Sequence, residues 1–253
     1  TFYLILQIPD QYFYIHPTVY VFALLSILIG YFEPFIFVYI LIFFHELGHF
    51  LTAAIFKFKV DKIYMYPTGG ISKFSSELNV SRIKEFLVLI NGPLVQGITY
   101  ILLLKFYPYK NSIHLLKPIH YSILFFNLLP IYPLDGGKIV NLFLSLFLSF
   151  KKSFTYTIYI SYFMIVILTF FLPSHFSINY LIMILFLLYK VTVENKRKNY
   201  YFDKFLLERY LYSYAFTKVK VVPSFDDFRR GYKHIISNNG GVFNEKTILS
   251  KKF

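Results

Sequence analysis

The sequence predicts an all-α, multi-span membrane protein with about six transmembrane helices and a small α+β cytoplasmic tail. Three observations lead there. Of 253 residues, 57% are hydrophobic and 22% aromatic, and the mean hydropathy is +0.54. Only 15% are charged, against about 25% in an ordinary soluble domain. The apolar runs are continuous and reach the roughly 20 residues that a helix needs to cross the hydrocarbon core. The same richness in aromatic and β-branched residues excludes disorder. A transmembrane barrel would need alternating segments of roughly ten residues, which this chain lacks.

The spans follow in order. Tyr14 to Gly30 is the first, ended by the Gly30–Tyr31 turn and Pro34, and the second runs from Pro34 to Phe56. The third covers Glu85 to Leu104. The fourth starts near Ile113, breaks over Pro130 to Gly137 and continues from Lys138 to Phe150. Phe154 to Leu172 is the fifth and Asn179 to Val193 the sixth. Residues 1–194 thus read as the transmembrane domain and 195–253 as a cytoplasmic linker helix and tail. In the tail, Val219 to Val222 reads as a strand, Phe225 to Ile235 as a helix, and Asn238 to Gly241 as a turn.

The net charge of +13 invites comparison with nucleic-acid binders, but its distribution excludes that class. No Lys or Arg occurs from Thr1 to Phe56, and 13 of the 26 lie between Asn195 and Phe253. Positive charge gathered beside apolar spans is an orientation signal. Lys57 to Lys84 carries six Lys/Arg, Lys151 and Lys152 follow the fourth span, and the tail opens with Lys196-Arg197-Lys198. These three regions, and with them the N-terminus, are expected in the cytoplasm; Lys105, Lys110 and Lys117 run against the alternation. Cysteine is absent, which excludes disulfides and thiolate metal sites. No charged leader with a small-residue cleavage site is seen, so no removable signal peptide is expected.

Within the second span the chain reads Phe43-Phe44-His45-Glu46-Leu47-Gly48-His49-Phe50. Histidines four apart on a helix project from one face, one turn apart, and can chelate a single metal ion. The glutamate between them lies beside that face as a general base for a water at the metal. Ionisable residues at the bilayer centre cost about 2.5–3.5 kcal/mol each on insertion scales and mark function. Metal ligation offsets that cost for His45, Glu46 and His49, whereas hydrogen bonding to neighbouring helices is the plainer alternative. A catalytic zinc site wants a third protein ligand. Asp135, in Asn127-Leu-Leu-Pro130-Ile-Tyr-Pro133-Leu-Asp135-Gly136-Gly137, can turn towards the histidines because two prolines and two glycines break the helix there. Broken backbone at membrane depth is tolerated only where protein buries it or a cavity faces it. A loop aspartate capping the next helix is the alternative. His16, His114, His120, His175 and His234 read as interface or loop histidines.

His-Glu-Leu-Gly-His in one span, with Asn-Leu-Leu-Pro-Ile-Tyr-Pro-Leu-Asp-Gly-Gly in a later one, resembles the site-2 protease family of intramembrane zinc metalloproteases. The resemblance implies one Zn2+ per chain held by His45, His49 and Asp135, with Glu46 as catalytic base. It also implies Asn127 as a substrate-backbone or oxyanion contact, and Pro133 as part of the same substrate-binding motif. Tyr66-Pro67-Thr68-Gly69-Gly70 looks like the family's membrane-re-entrant hairpin, with Gly69 and Gly70 at the substrate. Asn91-Gly92-Pro93 opens the third span in the family's manner. In the tail, Phe205-Leu-Leu-Glu-Arg-Tyr210 and Phe228-Arg-Arg-Gly-Tyr-Lys-His234 are similar to the sporulation branch of the family.

That branch releases a sigma factor from its membrane-bound precursor. The resemblance therefore implies a sigma-factor precursor as the membrane-tethered substrate. It implies inhibitory membrane partner proteins, a place in the outer forespore membrane of a spore-forming bacterium, and room for homo-oligomers. It also implies a CBS-type regulatory region in the tail. The length left there holds about one such motif, which argues against the adenine-nucleotide site that a full pair would form. The rival class is a membrane metal transporter using the His/Asp constellation as a transit site, for which Glu46 has no chemical task.

Overall fold

A computed structural model describes the chain except for residues 1–12, 67–68, 76–77, 109–112, 171–176, 213, 215, 217 and 239–240. Pro67, Thr68, Lys110, His175, Asn239 and Gly240, and most of the loop after the fifth expected span, lie outside the described residues. The chain divides into two compact units.

The first unit comprises Thr1–Ser76 and Leu87–Phe126. It contains strand β1 (Phe13–Ile15), helices α1 (Thr18–Ile29) and α2 (Phe32–Ile55), and strands β2 (Lys59–Tyr66) and β3 (Gly69–Ser75). Most of α3 (Arg82–Phe106) and α4 (Ile113–Leu128) completes it. In α2 the buried residues Phe37, Leu41, His45, Gly48, His49 and Thr52 recur every three or four positions, the single face that helical periodicity dictates. Phe37 and Leu41 pack with Leu116 of α4, and Tyr100, Leu103 and Tyr107 close over them. Thr52 Oγ1 donates to the Gly48 carbonyl and accepts from Asn91 Nδ2. β1 pairs parallel with β2, and β2 antiparallel with β3 in the register Tyr66↔Gly69, with an irregularity between Val60 and Lys62. Charge alone marks this region as a basic loop. Lys59, Lys62 and Lys73 are spread along β2 and β3, so the same lysines that mark a loop by charge are strand residues.

The second unit comprises Glu77–Phe86 and Asn127–Phe253. Its elements are α5 (Asp135–Phe147), α6 (Phe150–Phe170), α7 (Ile178–Leu211), β4 (Lys218–Val222), a 3-10 turn at Phe225–Asp227, β5 (Tyr232–Asn238), β6 (Gly241–Asn244) and α8 (Glu245–Lys252). Ser153, Thr157 and Ser161 form a buried small-polar stripe on α6. Each donates to a carbonyl one turn back, which suits close helix packing in a bilayer. β4 pairs parallel with β5, and β5 antiparallel with β6. Phe150, Phe202, Phe205, Leu206, Val222, Phe228, Ile236 and Leu249 make the core beneath this sheet. The expected helix over Phe225 to Ile235 is corrected to a short turn and a strand. Gly231 has a φ of 76°, which ends any helix there; His234 then pairs with β4, and Ile235 and Ile236 pair with both neighbouring strands.

Four described helices are long and apolar enough to span a bilayer: α2, α3, α6 and α7. The expected six include α1, which has 12 residues, and the broken fourth span, which divides into α4 with 16 and α5 with 13. Gly30 stops α1 in the left-handed region at φ 79°, and Pro130 with Pro133 separates α4 from α5.

Candidate metal centre

His45 and His49 sit one turn apart on the buried face of α2, with 2% and 4% of their surface exposed. His49 Nδ1 donates to the Val88 carbonyl of α3 at 2.8 Å. His45 Nδ1 meets Gln96 Oε1, also on α3, at 3.0 Å. Both acceptors are carbonyl-type oxygens, so each ring carries its proton on Nδ1 and offers Nε2 as a lone pair. The two Nε2 atoms converge to 3.1 Å. Two lone pairs so close repel unless a proton or a cation lies between them, and a divalent cation is what neutral imidazoles of this tautomer ligate.

The approach of α3 is tight. A Cβ on Gly48 would lie 2.5 Å from the Asn91 carbonyl oxygen, and one on Gly92 would overlap the His49 ring. The Asn91-Gly92-Pro93 element therefore brings α3 to the first histidine helix at contact distance. Glu46 is half-buried, beside His45. Its Cγ occupies the space that a Cβ on Gly70 of β3 would take, so β3 runs directly against the glutamate. Gly69, with φ 145°, takes a conformation that L residues rarely adopt.

Asp135 is buried at 7% exposure and opens α5, where the helix dipole favours a carboxylate. The cap position is Leu134, whose side chain makes no cap bond, and Asp135 is the first residue of the helix. Lys138 Nζ lies 3.2 Å from Asp135 Oδ1. Pro133 is half-buried in the preceding segment, joined to Tyr132 by a cis peptide bond. Tyr132 N donates to Ser161 Oγ at 2.9 Å, so the broken backbone is satisfied by the polar stripe of α6. Asn127 lies half-buried in the last turn of α4.

Among the described residues, His45, His49 and Asp135 form the candidate metal-holding group, each offering one ligand atom from a buried side chain. Two imidazoles and a carboxylate are a catalytic zinc donor set that leaves a position open. Two residues of this region escaped the motifs: Gln96, with no exposed surface, and His120, at 4%. A strongly polar amide in the apolar run Leu94-Val95-Gln96-Gly97-Ile98 was the available signal.

A sequence profile described as Peptidase family M50 matches residues 34–121 and 109–171. Stage IV sporulation protein FB of Bacillus subtilis (strain 168) is 30% identical over 247 residues, covering 90% of this chain and 85% of that protein. A zinc metalloprotease of Methanocaldococcus jannaschii is 29% identical over 126 residues, 47% of this chain and 36% of its own length. The solved structure of the site-2 protease from Methanocaldococcus jannaschii is similar with a TM-score of 0.56 and 27% identity, covering 72% of this chain and 89% of that one.

Proposed function

Since the chain belongs to peptidase family M50, we propose that His45, His49 and Asp135 hold one zinc ion at which Glu46 directs the hydrolysis of a peptide bond. The chain is an intramembrane zinc metallopeptidase of the site-2 type and an integral membrane protein. The observation that carries the residue assignment is the convergence of two imidazole Nε2 atoms whose Nδ1 protons are committed to carbonyl oxygens. When bound, zinc acidifies water and polarises the scissile carbonyl. Glu46 takes the proton of the attacking water and returns it to the leaving amine. Asn127 contacts the substrate backbone or the developing oxyanion, and Pro133 shapes the same wall.

A helical substrate hides its carbonyls and must unwind before attack. β3 lies last in the order β1-β2-β3 and runs against Glu46 at Gly70. It can hold an unwound substrate by strand addition, with Gly69 and Gly70 at the closest approach.

The substrate is a membrane-bound sigma-factor precursor, which the likeness to stage IV sporulation protein FB over nearly the whole chain supports. The enzyme then works in the outer forespore membrane, its N-terminus and tail cytoplasmic, with the tail docking the folded part of the precursor. Purified protein mixed with a membrane-tethered precursor tests the activity. Cleavage is expected to stop with a chelator and return with zinc. Glu46→Gln is expected to keep its zinc and lose cleavage, whereas a metal transporter would not need that base. Cleavage by Glu46→Gln at the wild-type rate would overturn the base assignment. Removing the precursor's folded cytoplasmic part should raise KM more than it lowers kcat, because docking is shared by ground and transition states. An unchanged KM would refute tail docking.

A further inference from the structure

Gln96 lies on α3 with no exposed surface, between two histidines of two other helices. Its amide orientation follows from its partners. One amide atom sits 3.1 Å from the His120 backbone carbonyl, which can only accept, so that atom is the Nε2 donor. Oε1 therefore faces His45 Nδ1 at 3.0 Å. An amide oxygen only accepts, so His45 must carry its proton on Nδ1. Gln96 Nε2 also lies 3.3 Å from His120 Nδ1, which accepts and leaves the ring proton of His120 on Nε2. The His120 ring is itself fixed, stacked on Tyr100 at 4.1 Å and 8°.

We infer that the chain His120–Gln96–His45 is the device that aims one zinc ligand, with Gln96 as the positioning residue that holds His45 in the ligating tautomer. The inference rests on the reading of His45 as a metal ligand. The two histidines are then oriented by different means. His49 donates to a backbone carbonyl, Val88 O, which no side-chain substitution removes. His45 depends on an amide side chain, so its aim can be altered by one substitution that touches neither ligand nor base. Outer partners of this kind are worth about 10–100-fold in metal affinity.

Two measurements on the purified full-length protein test this. The first is zinc affinity by competition with a chromophoric chelator, for wild type, Gln96→Leu and Gln96→Glu. Leucine cannot accept from His45 and is expected to weaken zinc binding about 10–100-fold. Glutamate keeps an acceptor at the same place and is expected to stay within about threefold of wild type. A Gln96→Leu protein that binds zinc as tightly as wild type overturns the inference, as does a Gln96→Glu protein as weak as Gln96→Leu. The second measurement needs no variant. In zinc-free wild-type protein with 15N-labelled histidine, His45 is expected to carry a proton on Nδ1, whether or not a proton also lies between the two Nε2 atoms, and His120 to carry its proton on Nε2; a His45 ring without the Nδ1 proton overturns the inference. A wild type that binds no zinc would instead sink the metal assignment itself, with the tautomer readout standing apart from it.

Discussion

Gly70 sets the room available to Glu46, because any Cβ there would overlap the glutamate's Cγ. Gly70→Ala is expected to displace the base and lower kcat by about 100-fold, the scale on which an ångström of misplacement acts, with zinc content unchanged. Metal analysis beside single-turnover kinetics checks it, and an unaltered kcat contradicts it. Asp135→Ala is expected to lose zinc and activity together, whereas Asn127→Ala keeps zinc and loses rate. Full zinc retention in Asp135→Ala would remove that residue from the ligand set. The residues of the candidate metal group were legible in the sequence because a helix fixes the separation of positions i and i+4, and because two glycines and two prolines announce a broken span. Gln96 and His120 were not, since what gives them a role is a partner on another helix, and no spacing along one chain encodes that.

α7 has 34 residues, about 51 Å at 1.5 Å per residue, against a hydrocarbon core of about 30 Å. Its far end joins the tail core through Phe202, Phe205 and Leu206, so the sequence boundary at 194/195 falls within one uninterrupted helix. There Glu208 accepts from Leu78 N at 2.7 Å and from Asn79 Nδ2 at 3.1 Å. Arg230 pairs with Glu85 at 2.6 Å. The tail thus grips the segment that follows β3 and leads into α3. Glu208→Ala removes the acceptor of the part-buried Leu78 N–H and one of the two acceptors of Asn79 Nδ2, which keeps the Phe205 carbonyl, and is expected to destabilise by about 1 kcal/mol; thermal unfolding measures it, and an unchanged midpoint rejects the latch. In β5, His234 Nε2 accepts from Arg229 N at 3.0 Å, and burial first, then the nearby Arg209 charge, push the imidazole below its ordinary pKa against the pull of Glu245. Burial raises the Glu245 carboxyl, but its bonds to His234 and Arg209 outweigh that and hold it low. Both groups bind protons more readily unfolded, so the stability they contribute is full above the ordinary histidine value of 6.5. It falls as pH drops below that value and then through the carboxylate range. Amide exchange over Tyr232–Asn238 is expected to quicken on acidification, and His234→Phe to blunt the first part of that change. The tail strands were only partly legible, because Phe225 to Ile235 has helical spacing until Gly231 interrupts it. The short α1, α4 and α5 read as full spans because hydropathy does not register where a cap or a proline ends a helix.

Taken whole, the molecule couples an apolar helical body to a basic tail that carries half of the Lys and Arg residues, 13 of 26. That asymmetry is the observation on which the proposed orientation rests. Single cysteines introduced into a chain that has none test it: one near Ser237 is expected to resist an impermeant reagent added outside intact cells, and its modification would reverse the proposed topology. The membrane class and the enzyme class were legible because hydropathy and two separated motifs each survive any choice of span boundaries. The extent of β2 and β3 was not, because their lysines carry a loop signal. The central claim is that a His45/His49/Asp135 centre binds zinc while Glu46 moves the proton. Zinc content and precursor cleavage measured side by side for wild type and Glu46→Gln test it most directly. About one zinc per chain in both, with cleavage confined to the wild type, is the predicted result; a zinc-free wild type that cleaves, or a Glu46→Gln protein that cleaves as fast, would contradict it.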